Sequence, residues 1–392
     1  MIPLMKNAFS NERQTREELA RFVVDAPRLS MDVQCADFER EFAQFQRAKA
    51  AVLFNSGGSA NLAMFQALKN LGTLKDGDKV GFSTLTWSTN VMPIIQLGLE
   101  PVPIDVEPGT LNVMANTVRE RLRDVDRLAA LFVTNALGFA GDLDRIRDLC
   151  VEEGITLLED NCEALGTELE SGLTGSFGKM ASFSFFVAHH LSTIEGGMVC
   201  TDDEELVEML KIVRANGWDR NLTADQQRRW RNTHNVISEF AAKYTFYDLG
   251  YNLRPTEITG FLGLTQLRYL RGNIDRRQEL YTALEAVIRQ NLDLVPPERA
   301  HLRLLSPFAC PVITRSAELR DRYMAQFSGA GVEIRPMIAG NIQRQPFFRK
   351  YVPTEHALVG ADFLHDCGFY CGLYPELTES DIETLKSCLL KY

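Results

Sequence analysis

Short apolar runs alternate with longer amphipathic stretches through the first half of the chain. Apolar runs typical of strands occupy residues 50–54, 79–82, 101–104, 128–133, 155–158 and 181–186. Residues 62–68 and 143–153 between them have apolar positions at helical spacing. Alternating elements of this size predict an α/β fold, in which helices cover both faces of a mostly parallel sheet.

The ends of the chain have a different pattern. Helices are predicted at residues 11–24, 37–47, 317–328 and 378–390, with one or two long helices over 255–290 and a strand then a helix over 200–217. Short strands at 308–312 and 332–335 complete a smaller α+β region. We therefore predict a large domain over residues 1–265 and a small C-terminal domain over 266–392. The polar segment 218–248 is long enough to pack against another surface, such as a second subunit.

Several chemically distinctive residues follow predicted strands. Trp87, Asp160 and His189 each come shortly after one, and parallel sheets bind ligands at the carboxyl ends of their strands. Residues 55–61, Asn-Ser-Gly-Gly-Ser-Ala-Asn, join a strand to a helix. Backbone N–H groups at such a helix start can bind a phosphate, and glycine allows a close approach. A well-capped turn without a ligand explains these residues equally well.

The most unusual stretch is residues 184–197, Ser-Phe-Phe-Val-Ala-His-His-Leu-Ser-Thr-Ile-Glu-Gly-Gly. Adjacent histidines on a strand point to opposite faces, so at most one of His189 and His190 would serve a given pocket. Taken by itself, the stretch is typical of a polar surface loop.

Composition narrows the class of protein. The chain has 392 residues, of which 45% are apolar, and a net charge of −10. That charge argues against a surface for nucleic acid or anionic membranes. The N-terminus lacks the apolar core of a signal peptide, and a membrane span needs about 18 consecutive apolar residues, which no run approaches. Eight scattered cysteines without a C-x-x-C pair indicate reduced thiols, no metal site and a cytoplasmic protein.

Four motifs together resemble one family. They are residues 55–61, Leu-Glu-Asp-Asn-Cys-Glu-Ala-Leu-Gly at 158–166, the 184–197 stretch, and Gly-Tyr-Asn-Leu-Arg-Pro at 250–255. Their order and spacing resemble the DegT/DnrJ/EryC1/StrS sugar aminotransferases over nearly the whole chain. The resemblance implies a fold-type I enzyme, dependent on pyridoxal 5′-phosphate (PLP), that acts on nucleotide-linked keto sugars.

One residue departs from the family pattern. The aminotransferases have Ser-Phe-x-x-x-Lys, whose lysine forms a Schiff base with PLP, and His189 stands in that place. Imidazole cannot form that bond, but it can move protons near neutral pH. The chain therefore resembles the branch of 3-dehydratases that use pyridoxamine 5′-phosphate (PMP). The histidine pair and the stretches 214–220 and 368–370 favour a GDP-linked 4-keto-6-deoxymannose as substrate.

The resemblance to that branch implies a reaction and excludes a cofactor. L-glutamate would convert PLP to PMP, the sugar would lose its C3 hydroxyl, and ammonia would be released, on a route to 3,6-dideoxy sugars of the O-antigen type. Another dehydratase branch has four clustered cysteines for an iron–sulfur cluster after the Glu-Gly-Gly turn. Because no cysteine lies between Trp218 and Arg254, we expect no such cluster here.

Roles near the cofactor follow from the resemblance. His189 is the predicted catalytic base, Asp160 the partner of the pyridine nitrogen and Trp87 the aromatic that stacks on the ring. The phosphate would be held by residues Gly57, Gly58, Ser59 and Ser184. For Glu163, contact with the O3′ region of the cofactor and a solvent-facing position both stay open.

Other residues are assigned to the partner subunit or the substrate. Asn252 and Arg254 match a segment that a second subunit contributes, which implies a homodimer with shared active sites; Asn252 is a cofactor candidate and Arg254 a substrate candidate. Arg220 and Arg335 are candidates for the substrate diphosphate or the glutamate carboxylate, because a guanidinium binds such anions through two bonds.

Three other functions stay open. An aminotransferase could use a different lysine, of which Lys179 is nearest, although it precedes the predicted strand. A cluster-free dehydratase could act on a CDP- or dTDP-linked sugar, since no motif reads the base. A non-catalytic regulator of the same fold would need an added basic DNA-binding segment, and none is seen.

Overall fold

The computed structural model describes residues 1–391. Its helices are α1 Glu12–Asp25, α2 Val33–Gln46, α3 Gly57–Asn70, α4 Met92–Gln96, α5 Ala115–Leu122, α6 Leu143–Glu153, α7 Glu204–Arg214, α8 Ala224–Thr233, α9 Glu239–Ala242, α10 Glu257–Gln290, α11 Ala317–Gly329, α12 Pro346–Tyr351, α13 Val359–Cys367 and α14 Glu379–Leu389. Its strands are β1 Ala50–Phe54, β2 Lys79–Ser83, β3 Glu100–Ile104, β4 Ala130–Thr134, β5 Thr156–Asp160, β6 Glu168–Leu169, β7 Gly172–Leu173, β8 Met180–Ser184, β9 Gly197–Thr201, β10 Leu302–Leu304, β11 Ala309–Ile313, β12 Ile334–Pro336 and β13 Gly368–Gly372.

Seven strands form one sheet in the order β1-β9-β8-β5-β4-β2-β3. The run from β8 to β3 is parallel throughout, and β9 pairs antiparallel with both β8 and β1. Strand β1 therefore points the same way as the parallel strands, and β9 alone is reversed. The prediction of an α/β fold with a mostly parallel sheet is confirmed.

Strand β4 illustrates how the sheet is buried on both faces. All five of its residues are buried, and they alternate between two cores. Ala130 and Phe132 pack with α3 and α7 on one face, whereas Leu131 and Val133 pack with α5 and α6 on the other. Successive side chains of a strand point to opposite faces of the sheet. An uninterrupted apolar run is therefore what a central strand, covered on both faces, requires.

An aromatic cluster fixes the end of β8. Phe42 on α2 lies with its ring centroid 5.1 Å from that of Phe183 and 5.2 Å from that of Phe185. Phe38 lies 5.2 Å from Phe185, and none of these four side chains is exposed. Helix α10 packs on α2 and contributes Leu270 and Ile274 to the same cluster. The cluster therefore anchors the chain immediately before the His-His turn.

The C-terminal region has its own antiparallel sheet, in the order β11-β13-β12. Its apolar side chains join those of α5, α6 and β3 in one continuous core. Helix α10 is a single helix of 34 residues, and it crosses the predicted boundary between residues 265 and 266. The N-terminus also reaches this region, where Ile2 bridges Val332. The division into domains 1–265 and 266–392 stays a prediction.

Several predicted boundaries were displaced. Helix α2 begins at Val33, four residues before the predicted start, and α3 begins at Gly57. Strand β8 ends at Ser184, so the prediction that it continues to Phe186 was wrong. The chain turns back after Phe185, whose N–H bonds Gly196 O and whose carbonyl accepts from Thr193 N, both at 2.9 Å. Residues 186–192 therefore form a loop and not a strand. Within residues 1–391, no helix is both long enough and apolar enough to cross a membrane.

Removing the side chain of Phe42 should destabilise the protein severely. Phe42→Ala leaves a cavity among three other aromatic rings, and such truncations cost about 3–5 kcal/mol. We expect the unfolding midpoint in denaturant to fall accordingly. Val151→Ala on α6 is the matched control, because Val151 is 77% exposed, and its midpoint should barely move. A wild-type midpoint for Phe42→Ala would contradict this account of the core.

Candidate active site

A cavity of about 510 Å³ lies at the carboxyl ends of the parallel strands. Thr134 and Asp160 end β4 and β5 at its floor, and Ser184 ends β8 beside them. The start of α3 and the turn after β8 form its walls. This is the edge at which open parallel sheets bind ligands, and the predicted residues at strand ends do converge there.

Asp160 is the buried carboxylate of this cavity. It is 4% exposed, and its Oδ2 accepts hydrogen bonds from Asn61 Nδ2 at 3.0 Å and Asn90 Nδ2 at 2.6 Å. Its Oδ1 accepts from Cys162 N at 2.8 Å, so it caps the following turn as well. Three donors fix the position of the carboxylate. Such a group can pair with a cationic ring nitrogen.

The start of α3 presents unpaired backbone donors to the cavity. Ser56 caps the helix by accepting from Ser59 N at 3.1 Å, and Gly57 and Gly58 line the cavity. The first N–H groups of a helix have no partner within it and bind anions well. Ser59 lies one residue further into the helix, where its Oγ contacts Ser56 Oγ at 2.9 Å. The arrangement suits a phosphate.

Two glycines allow this helix start to approach the β8–β9 turn. A Cβ on Gly57 would lie 2.7 Å from Ser184 Cβ, and one on Gly197 would lie 2.2 Å from Ser56 O. Neither contact leaves room for a side chain. The closeness brings Ser184, the helix start and the following turn around one small volume.

His189 lies on the turn between β8 and β9, where its backbone N–H donates to the backbone carbonyl of Phe186 at 2.9 Å. Its ring lines the cavity and lies 5.1 Å from the ring of Phe308. Its Nδ1 is buried and makes no hydrogen bond within the described residues. Burial, reinforced by the positive charge of Arg277 and opposed by a hydrogen bond to the Cys162 backbone, lowers the pKa of His189 to about 4. The imidazole is therefore neutral at pH 7 and can accept a proton.

His190 points away from the cavity, as expected for a structural neighbour. It is buried, and its Nε2 lies 3.1 Å from Ser306 O. Burial, Arg277 and His189 all lower its pKa. The two histidines thus diverge as predicted, although they lie on a turn and not on a strand.

Glu163 faces the cavity and is half-buried, so the solvent-facing alternative does not hold. Its Oε2 accepts from Leu137 N at 2.8 Å. Burial raises the pKa of Glu163 to about 7; the bond from Leu137 N opposes the shift and the charge of Asp160 adds to it. The carboxyl therefore changes its charge near neutral pH.

Trp87 is not a core tryptophan. It lines the mouth of the cavity and is 59% exposed. Lys179 lies before β8, at the opposite end of the strand from His189, where its Nζ pairs with Asp203 Oδ2 at 2.6 Å. A lysine in that position does not reach the cavity, which argues against an aminotransferase built on Lys179.

Five predicted site residues do not line the cavity within the described chain: Ser59, whose hydroxyl contacts Ser56, and the four residues Arg220, Asn252, Arg254 and Arg335. Asn252 Oδ1 accepts from Arg254 Nε at 3.0 Å, Arg220 lies over the Trp218 ring, and exposed Arg335 pairs with Glu333 at 2.6 Å. Their roles stay predictions.

Other residues of the site escaped the sequence analysis as candidates. Asn61 on α3 and Asn90 in the turn after β2 hold Asp160. Phe308 and Tyr370 line the cavity from the C-terminal region. Asn90 could have been found from its place after a strand end, next to Trp87. Phe308 had no such signal, because its contact with His189 spans more than a hundred residues of sequence.

The cysteines and acidic residues form no metal centre in residues 1–391. No group of three or more His, Cys, Asp or Glu side chains there could hold a metal ion. All eight cysteines are free thiols, and burial, chiefly, raises the pKa of Cys150 to about 12 and that of Cys388 to about 11.

The DegT/DnrJ/EryC1/StrS aminotransferase family profile matches residues 11–389. The chain belongs to this family. It is 30% identical over 373 residues to a GDP-4-keto-6-deoxy-D-mannose 3-dehydratase from Yersinia pseudotuberculosis, covering 94% of each protein. It is 31% identical over 379 residues to a dTDP-4-dehydro-2,6-dideoxy-D-glucose 3-dehydratase from Saccharopolyspora spinosa, covering 91% of this chain and 79% of that protein.

A solved structure of a GDP-4-keto-6-deoxymannose-3-dehydratase with a trapped PLP–glutamate geminal diamine is also similar. It has a TM-score of 0.89 and 28% identity, covering 99% of this chain and 100% of that one. The predicted resemblance to the DegT/DnrJ/EryC1/StrS family, and to its dehydratase branch, is confirmed.

The cavity of this family member fits a phosphopyridoxal group. The glycine contacts leave a cradle at the start of α3 that a Cβ would fill, Asp160 lies at the opposite side, and Trp87 flanks the mouth. The unpaired Nδ1 of His189 adds a proton-accepting atom on the cavity wall. Phosphate, ring nitrogen and reacting carbon each have a partner of suitable chemistry.

The stability of the protein should respond to the charge of Glu163. Its folded pKa is raised, so its contribution is fully present below the unfolded pKa and is lost as pH rises toward about 7. Between pH 4.5 and pH 8, wild type should therefore lose unfolding free energy relative to Glu163→Gln. Chemical denaturation of the cofactor-free proteins measures this. Glu152→Gln, at an exposed position, is the control, and a pH-independent difference for Glu163→Gln would refute the assignment.

Proposed function

We propose that the protein is a PLP/PMP-dependent 3-dehydratase of a nucleotide-linked 4-keto-6-deoxy sugar, with GDP-4-keto-6-deoxymannose as the expected substrate. One observation carries this proposal: a neutral, half-buried histidine occupies the position of the Schiff-base lysine, facing a cavity that fits the cofactor. The similarity to a GDP-sugar 3-dehydratase over 94% of the chain supports it.

L-glutamate is the proposed reductant as well as the nitrogen donor. The overall reaction converts the keto sugar and glutamate into the 3-deoxy keto sugar, 2-oxoglutarate and ammonia, and its atoms balance without added water. Two electrons leave the α-carbon of glutamate and reduce C3 of the sugar. No iron–sulfur cluster or reductase is therefore required. The PLP–glutamate adduct trapped in a similar structure supports this choice of donor.

The bound cofactor supplies an amine that condenses with the sugar ketone and a ring that accepts electrons. His189 removes the proton at the carbon that bears that amine, and then donates the proton to the departing C3 hydroxyl. Asp160 holds the ring nitrogen protonated through its carboxylate. Glu163, with a pKa near neutrality, can exchange a proton with the O3′ hydroxyl beside it. Because His189 cannot bond covalently to the cofactor, it would remain free to move the proton in both halves of the reaction.

Replacing His189 by asparagine should abolish turnover while the cofactor still binds. A general base contributes about 10²–10⁴-fold, so kcat should fall by at least that factor. Purified protein is incubated with PLP, glutamate and the GDP-linked keto sugar, and ammonia and the deoxy sugar are followed by enzymatic assay and mass spectrometry. His234→Asn, on the exposed end of α8, is the matched control and should retain full activity.

Two outcomes would overturn the proposal. A stable 4-amino sugar as product would make the protein an aminotransferase, and undiminished dehydration by His189→Asn would remove the histidine from its role. No bound cofactor and no glutamate-driven change in absorbance would instead favour a non-catalytic regulator.

We further propose that two chains form a homodimer with shared active sites. Residues 237–249 expose five large apolar or aromatic side chains, namely Ile237, Phe240, Tyr244, Phe246 and Leu249. A contiguous apolar patch of this kind marks a protein interface. Asn252 and Arg254 follow the patch directly, so a partner docked on it receives them near its own cavity. Arg220 and Arg335 are the proposed anion-binding arginines.

Mixed dimers test the sharing of sites. His189→Asn and Asn252→Ala are each expected to be inactive. If each site takes His189 from one chain and Asn252 from the other, a mixed dimer has one site with both substitutions and one site with neither. Co-refolding the two variants should restore activity that neither has alone, as measured by deoxy-sugar formation. His189→Asn co-refolded with itself is the control. If native mass spectrometry shows heterodimers that remain inactive, the shared-site proposal fails.

A dTDP-linked sugar is the second candidate substrate, favoured by 31% identity to a dTDP-sugar 3-dehydratase. Competition between GDP- and dTDP-linked keto sugars in one reaction decides between them, because kcat/KM ratios appear directly in the product ratio.

A further inference from the structure

Arg277 on α10 is a buried guanidinium behind the two histidines. It is 4% exposed, and burial lowers its pKa to about 10. Among residues 1–391 no carboxylate lies within ion-pair distance of it; Glu376 is the acidic group that acts on it. A buried charge without a paired ion is costly. Because an apolar side chain could fill the same space at lower cost, we expect a role of Arg277 other than packing.

The guanidinium holds a short strip of chain, residues 306–308, through its carbonyl oxygens. Arg277 Nη1 donates to Phe308 O at 2.9 Å and to Pro307 O at 3.2 Å, and it also bonds Leu373 O. The strip in turn contacts both histidines, because Ser306 O accepts from His190 and the Phe308 ring packs on His189. One side chain therefore supports the positions of both imidazoles.

Arg277 also faces the histidines directly. All three side chains line a small cavity of about 40 Å³ on the far side of His189 from the active site. The charged or titratable groups around His189 lie on two sides. Toward the active site they are Asp160, Cys162, Glu163, Glu195 and Tyr370, and behind it they are Lys6, His190, Arg277, Tyr374 and Glu376. Of the two cations, Lys6 is exposed and screened by water. Arg277 is buried, where a charge acts over a longer range.

We propose that Arg277 is a positioning residue for the dehydration: it fixes the 306–308 strip against both histidines and places a buried positive charge behind His189. The statement rests on the proposed function, in which His189 removes a proton. A nearby positive charge disfavours a second one, so a histidinium beside Arg277 is destabilised before catalysis. During the reaction the same repulsion drives the proton from His189 to the leaving hydroxyl.

The test is a titration of His189 in the cofactor-free, full-length protein. Histidine rings are labelled with ¹³C at Cε1, and the His189 signal is identified by its loss in His189→Asn. We expect Arg277→Gln to raise the pKa of His189, so that the midpoint of its titration occurs at a roughly tenfold lower proton concentration. In the active enzyme the acid limb of the kcat profile should move in the same direction, with KM nearly unchanged. Arg276→Gln, one residue away and paired with Glu279 at 2.8 Å, is the matched control and should leave the titration unmoved.

Arg277→Lys separates charge from positioning. It keeps the positive charge but cannot bond three carbonyls in the same way, so the His189 titration should stay low while kcat falls. An unshifted titration in folded Arg277→Gln, or a shift of equal size in Arg276→Gln, would overturn the proposal. If Arg277→Gln does not fold, Arg277→Lys decides alone. The proposal is overturned if His189 in Arg277→Lys titrates as in a free peptide, and it is supported if the titration stays low. The titration needs no substrate, so a failed dehydration assay leaves its result intact.

Discussion

The active site depends on a steric constraint between two backbone segments. The turn before α3 and the ends of β8 and β9 approach so closely that Gly57 and Gly197 have no room for a Cβ. This contact places the unpaired N–H groups of the helix beside Ser184 and fixes where the turn carrying His189 can start. The aromatic cluster around Phe42 holds the other side of β8. Anion binding and proton transfer are therefore adjacent because the backbone is packed tightly there.

Buried charge is distributed unevenly around that contact. Asp160 accepts three hydrogen bonds, whereas burial, opposed by a single donated hydrogen bond, raises the pKa of Glu163 nearby toward neutrality. Burial, reinforced by the charge of Arg277, lowers the pKa of His189. Groups with pKa values moved apart by their surroundings can exchange protons in a defined direction. Glu163 and His189 form such a pair on the lining of one cavity.

The sequence predicted the sheet, most of its strands and the residues at their carboxyl ends, because apolar runs and strand-end chemistry are local signals. Trp87, Asp160 and His189 were found in this way. The role of Ser184 and the replacement of a lysine by His189 were noticed only through the family pattern. Arg277 and Phe308 could not be found, since their contacts with His189 join distant parts of the chain. The boundaries of α2 and β8 were misplaced because tertiary hydrogen bonds, such as Phe185 N to Gly196 O, decide them.

Helix α10 has a mechanical consequence for the whole molecule. It continues for 34 residues without a break, from its contact with α2 to the carbonyls held by Arg277. A continuous helix resists bending, and the pairing of Ile2 with Val332 adds a second tie between the same regions. Both features oppose a hinged swing of the C-terminal region. We therefore expect ligand exchange to proceed by local rearrangement at the rim, where Trp87 and Phe186 are already exposed.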